Sequence, residues 1–323
     1  MKELYIKEID KHNPDYLGLV NERGTVFNDP AWLSLFGHHL KLYGIFDQKE
    51  SLTGAFTLWH SHPYGLTYLK NPLTTPHCAL IFRNTAETQY KRNTYEKSVH
   101  SCVAEFLKSQ SAAIIQFNLP PGATDVQPYL WRGFKVSPAY TYQLDLNPPI
   151  HETFSDFDSK LRSDIAKAEK DGIVVKKTDD MANVRSLVKK TLDRKTKDLP
   201  FSLIDKILFD FAKPKNSFAF VAYNADQPVA AAFCVYDGTT AYYILGGFDS
   251  ENRYRGAAAS TILASIQHAR EIGLQIFDFE GSMVPSIEAF FRGFGGELVP
   301  KYSVHRAWLP LEILLKFVKR SVY

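Results

Sequence analysis

With 323 residues, 45% of them hydrophobic and 23% charged, the chain is too long for one ordinary core and suits two domains of about 150 residues each; this composition excludes a disordered protein. A formal net charge of +3 is too mild to argue for nucleic acid by itself, and DNA is not an expected partner. Cys78, Cys102 and Cys234 are scattered and form no CxxC pair, so they indicate neither a disulfide framework nor a zinc site and fit a reducing compartment.

The opening stretch MKELYIKEIDKHNPDY has no apolar run of signal-peptide length, and no later segment approaches the span of a bilayer, so a cytoplasmic protein is expected. Residues 4–9 alternate like a first strand. Asn28-Asp29-Pro30 sets a capping side chain before a proline and predicts a helix over 31–40. Residues 45–46 and 52–59 read as a hairpin, 94–109 as a helix with Val99, Val103, Phe106 and Leu107 on one face, and 112–118 as a buried strand. Residues 140–146 alternate cleanly and run into Asn147-Pro148-Pro149, which ends any strand and marks a domain boundary between residues 146 and 147.

The second half starts with a helix over 154–171, stopped by Gly172 and carrying Lys167 and Lys170 near its end, where the helix dipole favours cations. A strand begins at Ile173, and helices are predicted over 180–196 and 202–211. Strands over 217–223, 228–236 and 239–248 then form a meander with turns at Asn224-Ala225-Asp226 and Asp237-Gly238. A polar loop over 249–256 leads into a helix over 257–272 whose first turn is built almost wholly of small residues.

Part of the chain is written twice. Ile115-Gln116-Phe117-Asn118, Trp131-Arg132-Gly133-Phe134 and Pro138-Ala139-Tyr140 are echoed by Phe277-Asp278-Phe279-Glu280, Phe291-Arg292-Gly293-Phe294 and Pro300-Lys301-Tyr302. An echo at an offset of roughly half the chain predicts one fold used twice. Each copy reads as a buried strand, a short helix ending at Gly, then a strand pair, and the expected domains are 1–146 and 147–323.

Arg253-Tyr254-Arg255-Gly256-Ala257-Ala258 gives R-x-x-G-x-A at the mouth of a helix. Small side chains admit a ligand to the backbone, and the unpaired N–H groups and positive helix end favour a pyrophosphate; the same residues equally serve close packing. Asp278 and Glu280, two apart on a strand, fall on one face. His38-His39 and His60-Ser61-His62 have no carboxylate or Cys at zinc spacing, so no metal is expected.

The meander, small-residue loop and helix, buried strand, short helix ending in Gly and final strands resemble, in that order, the GNAT acyltransferase superfamily. Trp131-Arg132-Gly133-Phe134 with Tyr140-Thr141-Tyr142-Gln143-Leu144-Asp145-Leu146, the run from Leu161 to Gly172, and Phe277-Asp278-Phe279-Glu280-Gly281 narrow the resemblance to its tandem, Fem-like branch. That resemblance implies an α/β (α+β) protein of two tandem GNAT-like domains, each a mixed, largely antiparallel sheet flanked by helices. The first would help form the acceptor cleft. The second would hold acyl-CoA, such as acetyl-CoA, at Arg253, Arg255, Gly256, Ala257, Ala258 and Ala259.

The implied activity is an N-acyltransferase acting on an amine of a cell-envelope, sugar-nucleotide or lipid-linked acceptor. Fem-like relatives also include enzymes that take the donor from aminoacyl-tRNA, but the long charged helical hairpin often found there is missing between residues 180 and 211. A third reading is a binding or scaffold protein whose catalytic groups have decayed, because the position where many GNAT enzymes carry a tyrosine acid is Phe291.

Acyl transfer to an amine needs a base, oxyanion donors and alignment. Glu280 is the candidate base, its alternatives being to cap the helix near Ser286 or to pair with Arg292. Tyr302 offers a hydroxyl or is structural, and Asp278 is a candidate substrate-binding group. Arg162 and Lys167, five apart and so on different faces, are candidates for an anion-binding acceptor wall, extended by Arg185, Lys189 and Lys190, or for a solvated surface. Residues 311–322 mix Leu314, Leu315, Phe317 and Val318 with Lys316, Lys319 and Arg320, a profile for peripheral membrane contact or for packing on the protein body.

Overall fold

The computed structural model describes residues 4–195, 200–249, 251 and 254–318. The first half forms β1 (Tyr5–Ile9), α1 (Pro14–Arg23), α2 (Pro30–Ser34), β2 (Leu40–Phe46), β3 (Leu52–Ser61), β4 (Tyr68–Lys70), β5 (Ile81–Phe82), α3 (Gln89–Ser109), β6 (Ile114–Asn118), α4 (Gln127–Leu130) and β7 (Lys135–Asp145). The chain continues with α5 (Ile150–Ser155), α6 (Ser159–Lys170), β8 (Ile173–Thr178), α7 (Met181–Lys195), α8 (Phe201–Asp205), β9 (Ser217–Asn224), β10 (Gln227–Tyr236) and β11 (Thr240–Phe248). It ends with α9 (Ala257–Glu271), β12 (Ile276–Asp278), α10 (Pro285–Arg292), β13 (Glu297–Ala307) and α11 (Leu309–Val318). Arg253, Lys319 and Arg320 lie outside the described residues.

Two compact units result, residues 4–139 with 300–318 and residues 140–299. In the first, strands run in the order β13-β6-β4-β3-β2-β1, with β5 also on β3; in the second the order is β7-β12-β11-β10-β9-β8. Each sheet has one parallel pair, at the same place: β4 with β6 and β11 with β12. The remaining pairs described are antiparallel. Helices recur with the strands: α1 and α2 fill the connection that α7 and α8 fill, α3 precedes β6 as α9 precedes β12, and α4 follows β6 as α10 follows β12. The duplication expected from the sequence echo is therefore a duplication of topology, and each unit is a mixed, largely antiparallel sheet flanked by helices.

The division does not fall at residue 146. Each short helix is followed by one strand of 11 residues, β7 or β13, rather than by a strand pair. β7 pairs with β12 through Gln143, Leu144 and Asp145, and β13 pairs with β6 from Ser303 to Ala307. Each long strand thus hydrogen-bonds to the buried strand of the other copy, and the units change within it; Pro148 and Pro149 only end β7 and lead into α5.

Burial explains the second sheet. β10 reads Pro228-Val229-Ala230-Ala231-Ala232-Phe233-Cys234-Val235 with little alternation, as a strand covered on both faces must. Ala232 and Cys234 pack with Ile262 and Ile266 of α9, and the alternate residues point to the face where α7 lies. Gly247 of β11 admits α7: a Cβ there would sit 2.3 Å from the Leu187 carbonyl carbon. The three cysteines are free thiols, Cys78 and Cys234 buried.

Some elements depart from expectation. The helix over 31–40 is only α2, capped as expected by the Asp29 side chain on the Ala31 N–H (2.7 Å). Gly37 then takes φ +60° and breaks the run before β2. α1, capped by Asn13 ahead of Pro14, was not anticipated. The helix over 154–171 is two, because the Asp158 carboxylate accepts from the N–H groups of Lys160 (3.0 Å) and Leu161 (3.2 Å) and starts α6 afresh. Among the described residues no helix is long and apolar enough to cross a membrane. Removing the cap in Asp158→Ala is expected to cost about 1 kcal/mol in urea denaturation, whereas Ser163→Ala, in the exposed interior of the same helix, should change stability by less than about 0.5 kcal/mol.

Candidate active site

β11 and β12 stay together only from Thr240 opposite Ile276 to Tyr242 opposite Asp278. β12 then ends, while β11 continues along β10 to Phe248. Beyond Tyr242, among the described residues, the β12 side of β11 has no strand to satisfy its backbone. A register shift opposite Phe233 and Cys234 leaves Ile244 as an extra residue, a bulge that re-aims backbone groups where the strands part. Tyr243 also lies here. Its hydroxyl presses on Gly246, where a Cβ would come within 1.7 Å of it, and its ring meets Phe291 edge-on at 5.9 Å. Burial pushes the Tyr243 phenol far up, so it keeps its proton and can offer a hydrogen bond but is a poor acid. Nothing in the sequence singled this residue out, since its placement depends on the bulge.

α9 starts after the end of β11. Gly256 caps it with φ +87°, no side chain caps the helix, and its first turn holds no acidic residue. The Ala257 N–H turns back to the Tyr254 carbonyl (3.2 Å), and the N–H groups at Ala258 and Ala259 belong to a terminus that favours an anion. Gly256 is also a packing residue: a Cβ would lie 1.9 Å from the Asp164 carbonyl oxygen of α6. Arg255 pairs with the Asp164 side chain. The equivalent helix of the first copy, α3, differs in both respects, since the Thr88 hydroxyl accepts from Lys91 N–H (3.3 Å) and Gln89, Tyr90 and Lys91 form its first turn.

Asp278 corrects one expectation. It is fully buried, and its carboxylate is engaged inside the unit: one oxygen accepts from the Thr141 hydroxyl (2.5 Å) and the Glu280 N–H (2.7 Å), the other from the Gln143 amide (2.9 Å). It cannot be the substrate-binding group expected of it. The alternation that placed Asp278 and Glu280 on one face also stops short, because Glu280 and Gly281 take φ of +58° and +63°. Half-buried Glu280 follows the strand end in that left-handed turn. The Tyr242 phenol is pushed up mainly by burial and then by the charges of Asp237, Glu280 and Asp278, which places these carboxylates around it.

The other candidates distribute as follows. Arg292 pairs with Glu288 (2.9 Å), which also accepts from the Tyr142 hydroxyl (2.6 Å), and no side chain caps α10. Phe291 is a core residue stacked among Phe279, Phe290 and Tyr243. Tyr302 belongs to the first unit and packs against its core, where its carbonyl accepts from Leu119 N–H (2.8 Å). On α6, Arg162 donates to the Ser155 carbonyl (3.1 Å) and Lys167 pairs with Asp171 (2.9 Å). Arg185 pairs with Asp205, Lys190 with Asp249 (2.8 Å), and Lys189 lies over the Phe201 ring. The cations expected to form an anion-binding wall therefore have local partners. Among the described residues no group of three or more His, Cys, Asp or Glu could hold a metal ion. A cavity of about 580 Å³ with Asp145, Glu152, Asp156 and Glu297 in its wall lies by Gln275 and Ile276, at the end of β12 away from Glu280.

Residues 155–290 match the family model described as acetyltransferase (GNAT) domain. No curated protein matches the chain. Among solved structures it is similar to FemX, with TM-score 0.66 and 14% identity over 96% of this chain and 99% of that one. It is similar to the C-terminal domain of a putative lysylphosphatidylglycerol synthetase from Agrobacterium fabrum, with TM-score 0.58 and 14% identity over 93% of each chain. It is also similar to a tandem GNAT protein from the clavulanic acid biosynthesis pathway, with TM-score 0.55 and 12% identity over 94% of this chain and 98% of that one. At such identities what is shared is the fold.

Both the positive φ and the approach of Asp164 make Gly256 irreplaceable. Gly256→Ala is expected to lower stability by at least about 1–3 kcal/mol in chemical denaturation, by displacing α6 from α9.

Proposed function

We propose, from the match of residues 155–290 to the acetyltransferase (GNAT) domain model, that the chain is an N-acyltransferase that moves an acyl group from acyl-CoA to an amine of a cell-envelope, sugar-nucleotide or lipid-linked acceptor. The observation that carries this reading is the uncapped, alanine-built start of α9 at the end of a strand that has parted from its neighbour. The donor's phosphates lie against the N–H groups of Ala258 and Ala259, the Ala257 N–H being taken by the Tyr254 carbonyl, with Arg253 and Arg255, the latter shared with Asp164, supplying positive charge. Its acyl arm runs between the parted strands.

The acceptor nitrogen attacks the acyl carbonyl there. Glu280 takes the proton released as the C–N bond forms, and backbone N–H groups at the Ile244 bulge receive the charge that grows on the carbonyl oxygen. The C–S bond breaks, and the departing thiolate takes its proton from water.

A second reading, in which aminoacyl-tRNA replaces acyl-CoA, draws support from the fold shared with FemX and with the putative lysylphosphatidylglycerol synthetase domain. The last of these names also supports a lipid-linked acceptor, a phospholipid hydroxyl in that case. α11 supports peripheral contact with a lipid surface: Leu309, Ile313 and Leu314, with Trp308 just before them, are exposed apolar side chains, and the sequence goes on to Lys316, Lys319 and Arg320.

Calorimetry with acetyl-CoA tests the donor. Binding is expected, and Ala258→Asp should weaken it by at least about tenfold while leaving the helix intact, because an acidic side chain suits a helix N-terminus but repels phosphate. Absence of acetyl-CoA binding together with salt-sensitive tRNA binding would select the second reading. For the surface, the protein should co-sediment with vesicles containing phosphatidylglycerol and not with pure phosphatidylcholine, and a triple Leu309→Ser, Ile313→Ser, Leu314→Ser variant should lose that binding.

A further inference from the structure

We propose that Asp278 is a positioning residue, which holds Glu280 in the left-handed turn that carries it to the parted strands. The inference rests on the acyl-transfer reading and assigns Asp278 a part in it without contact to either substrate.

A residue other than glycine in the left-handed region costs on the order of 1–3 kcal/mol and persists only where its surroundings over-determine it. Two determinants at Glu280 come from Asp278 and β7. Its own N–H is tied to Asp278 (2.7 Å), and Asp278 is in turn fixed by Thr141 and Gln143 of β7. Gly281, next in the chain, lies so close to β7 that a Cβ would stand 2.0 Å from the Tyr140 carbonyl oxygen. The Asp278 carboxylate is fully buried, an arrangement that costs stability unless it is hydrogen-bonded, and here two bonds anchor it to side chains of β7 and the third holds the backbone N–H of Glu280.

The first copy of the fold is an internal control. By the sequence echo, Gln116 and Asn118 stand where Asp278 and Glu280 stand, on a strand paired in the equivalent register, Gln116 opposite His305 as Asp278 is opposite Gln143. There the two carboxylates are amides, and Asn118 is not among the residues with positive φ. Ser303, at the place of Thr141, donates to Asn118 itself (2.8 Å). The same sheet therefore forms without the buried carboxylate and without the left-handed turn. Both occur in the copy whose equivalent helix starts uncapped, and both are missing from the copy whose helix start is capped by Thr88.

The test follows thiol release from acetyl-CoA with glucosamine and with ethanolamine as amines, alongside calorimetric binding of acetyl-CoA. In Asp278→Ala, kcat should fall roughly 10- to 100-fold, the scale of a misplaced catalytic group, with donor Kd within about twofold. Asp278→Asn, which can still accept from Glu280 N–H once the Gln143 amide turns over, should recover most of that loss. In a Glu280→Gln background, itself slow, Asp278→Ala should cost nothing further. If Asp278→Ala does not fold, Thr141→Val takes its place in the same cycle with a smaller loss expected. Transfer that is indifferent to these changes, or a loss just as large after Glu280→Gln, overturns the positioning role alone. Acetyl-CoA binding with no transfer to either amine by the unaltered protein overturns the acyl-transfer reading and this inference with it.

Discussion

The parallel pairing of β11 with β12 is confined to Thr240, Ala241 and Tyr242 opposite Ile276, Phe277 and Asp278, and the site depends on that brevity. A longer pairing would hydrogen-bond the edge of β11 that is otherwise left open. Two local features end it. Ile244 bulges out of the β10–β11 register, which turns β11 as it passes Tyr243. On β12, the Asp278 side chain binds the N–H of Glu280 and the chain turns left-handed, so no strand can continue. The turn at Glu280 and the parting of the strands thus have a common origin in the same few residues.

Duplication gives the two halves one topology and leaves their chemistry free to diverge. Each unit retains the parallel pair, the helix before the buried strand and the short helix after it. Among the differences are two at positions the sheet does not need: Thr88 against Gly256 at the helix start, and amides against carboxylates on the strand. Hydrophobic burial maintains the framework in both, as Phe117 and Phe279, related by the echo, are each buried in their own core. A buried carboxylate retained in only one of two equivalent frameworks is hard to ascribe to stability, because the other framework manages with glutamine.

Much of the fold was legible because short-range signals agreed with long-range packing. The meander from β9 to β11 followed from apolar runs and Asp-Gly or Asn-Ala-Asp turns, and α9 from its periodicity and small first turn. Residues 135–145 were misread as part of a strand pair because pairing partners are not local: the alternation of Tyr140 to Leu146 identifies a strand but not that it joins β12. The unit boundary failed for the same reason. Asp278 and Glu280 were placed on one face by a rule that holds only while the strand continues, and the carboxylate that ends the strand is one of the two. Tyr243 looked like one more aromatic in a strand, because a bulge opposite Phe233 leaves no mark in composition or period.

The R-x-x-G-x-A stretch posed two readings, a phosphate-binding helix start or plain close packing, and the geometry joins them. Gly256 is pressed against the Asp164 carbonyl, so the glycine itself is explained by packing. Yet that packing is what leaves the helix start without a side-chain cap: a serine or aspartate at the cap position would satisfy an amide of the first turn but has no space for its Cβ. The close approach of α6 therefore excludes the usual internal solution for those N–H groups. With alanines following, no other side chain of the first turn can reach back to replace it. The Ala257 N–H is taken by the Tyr254 carbonyl (3.2 Å), and for those of Ala258 and Ala259 an anion from outside is the partner left to take.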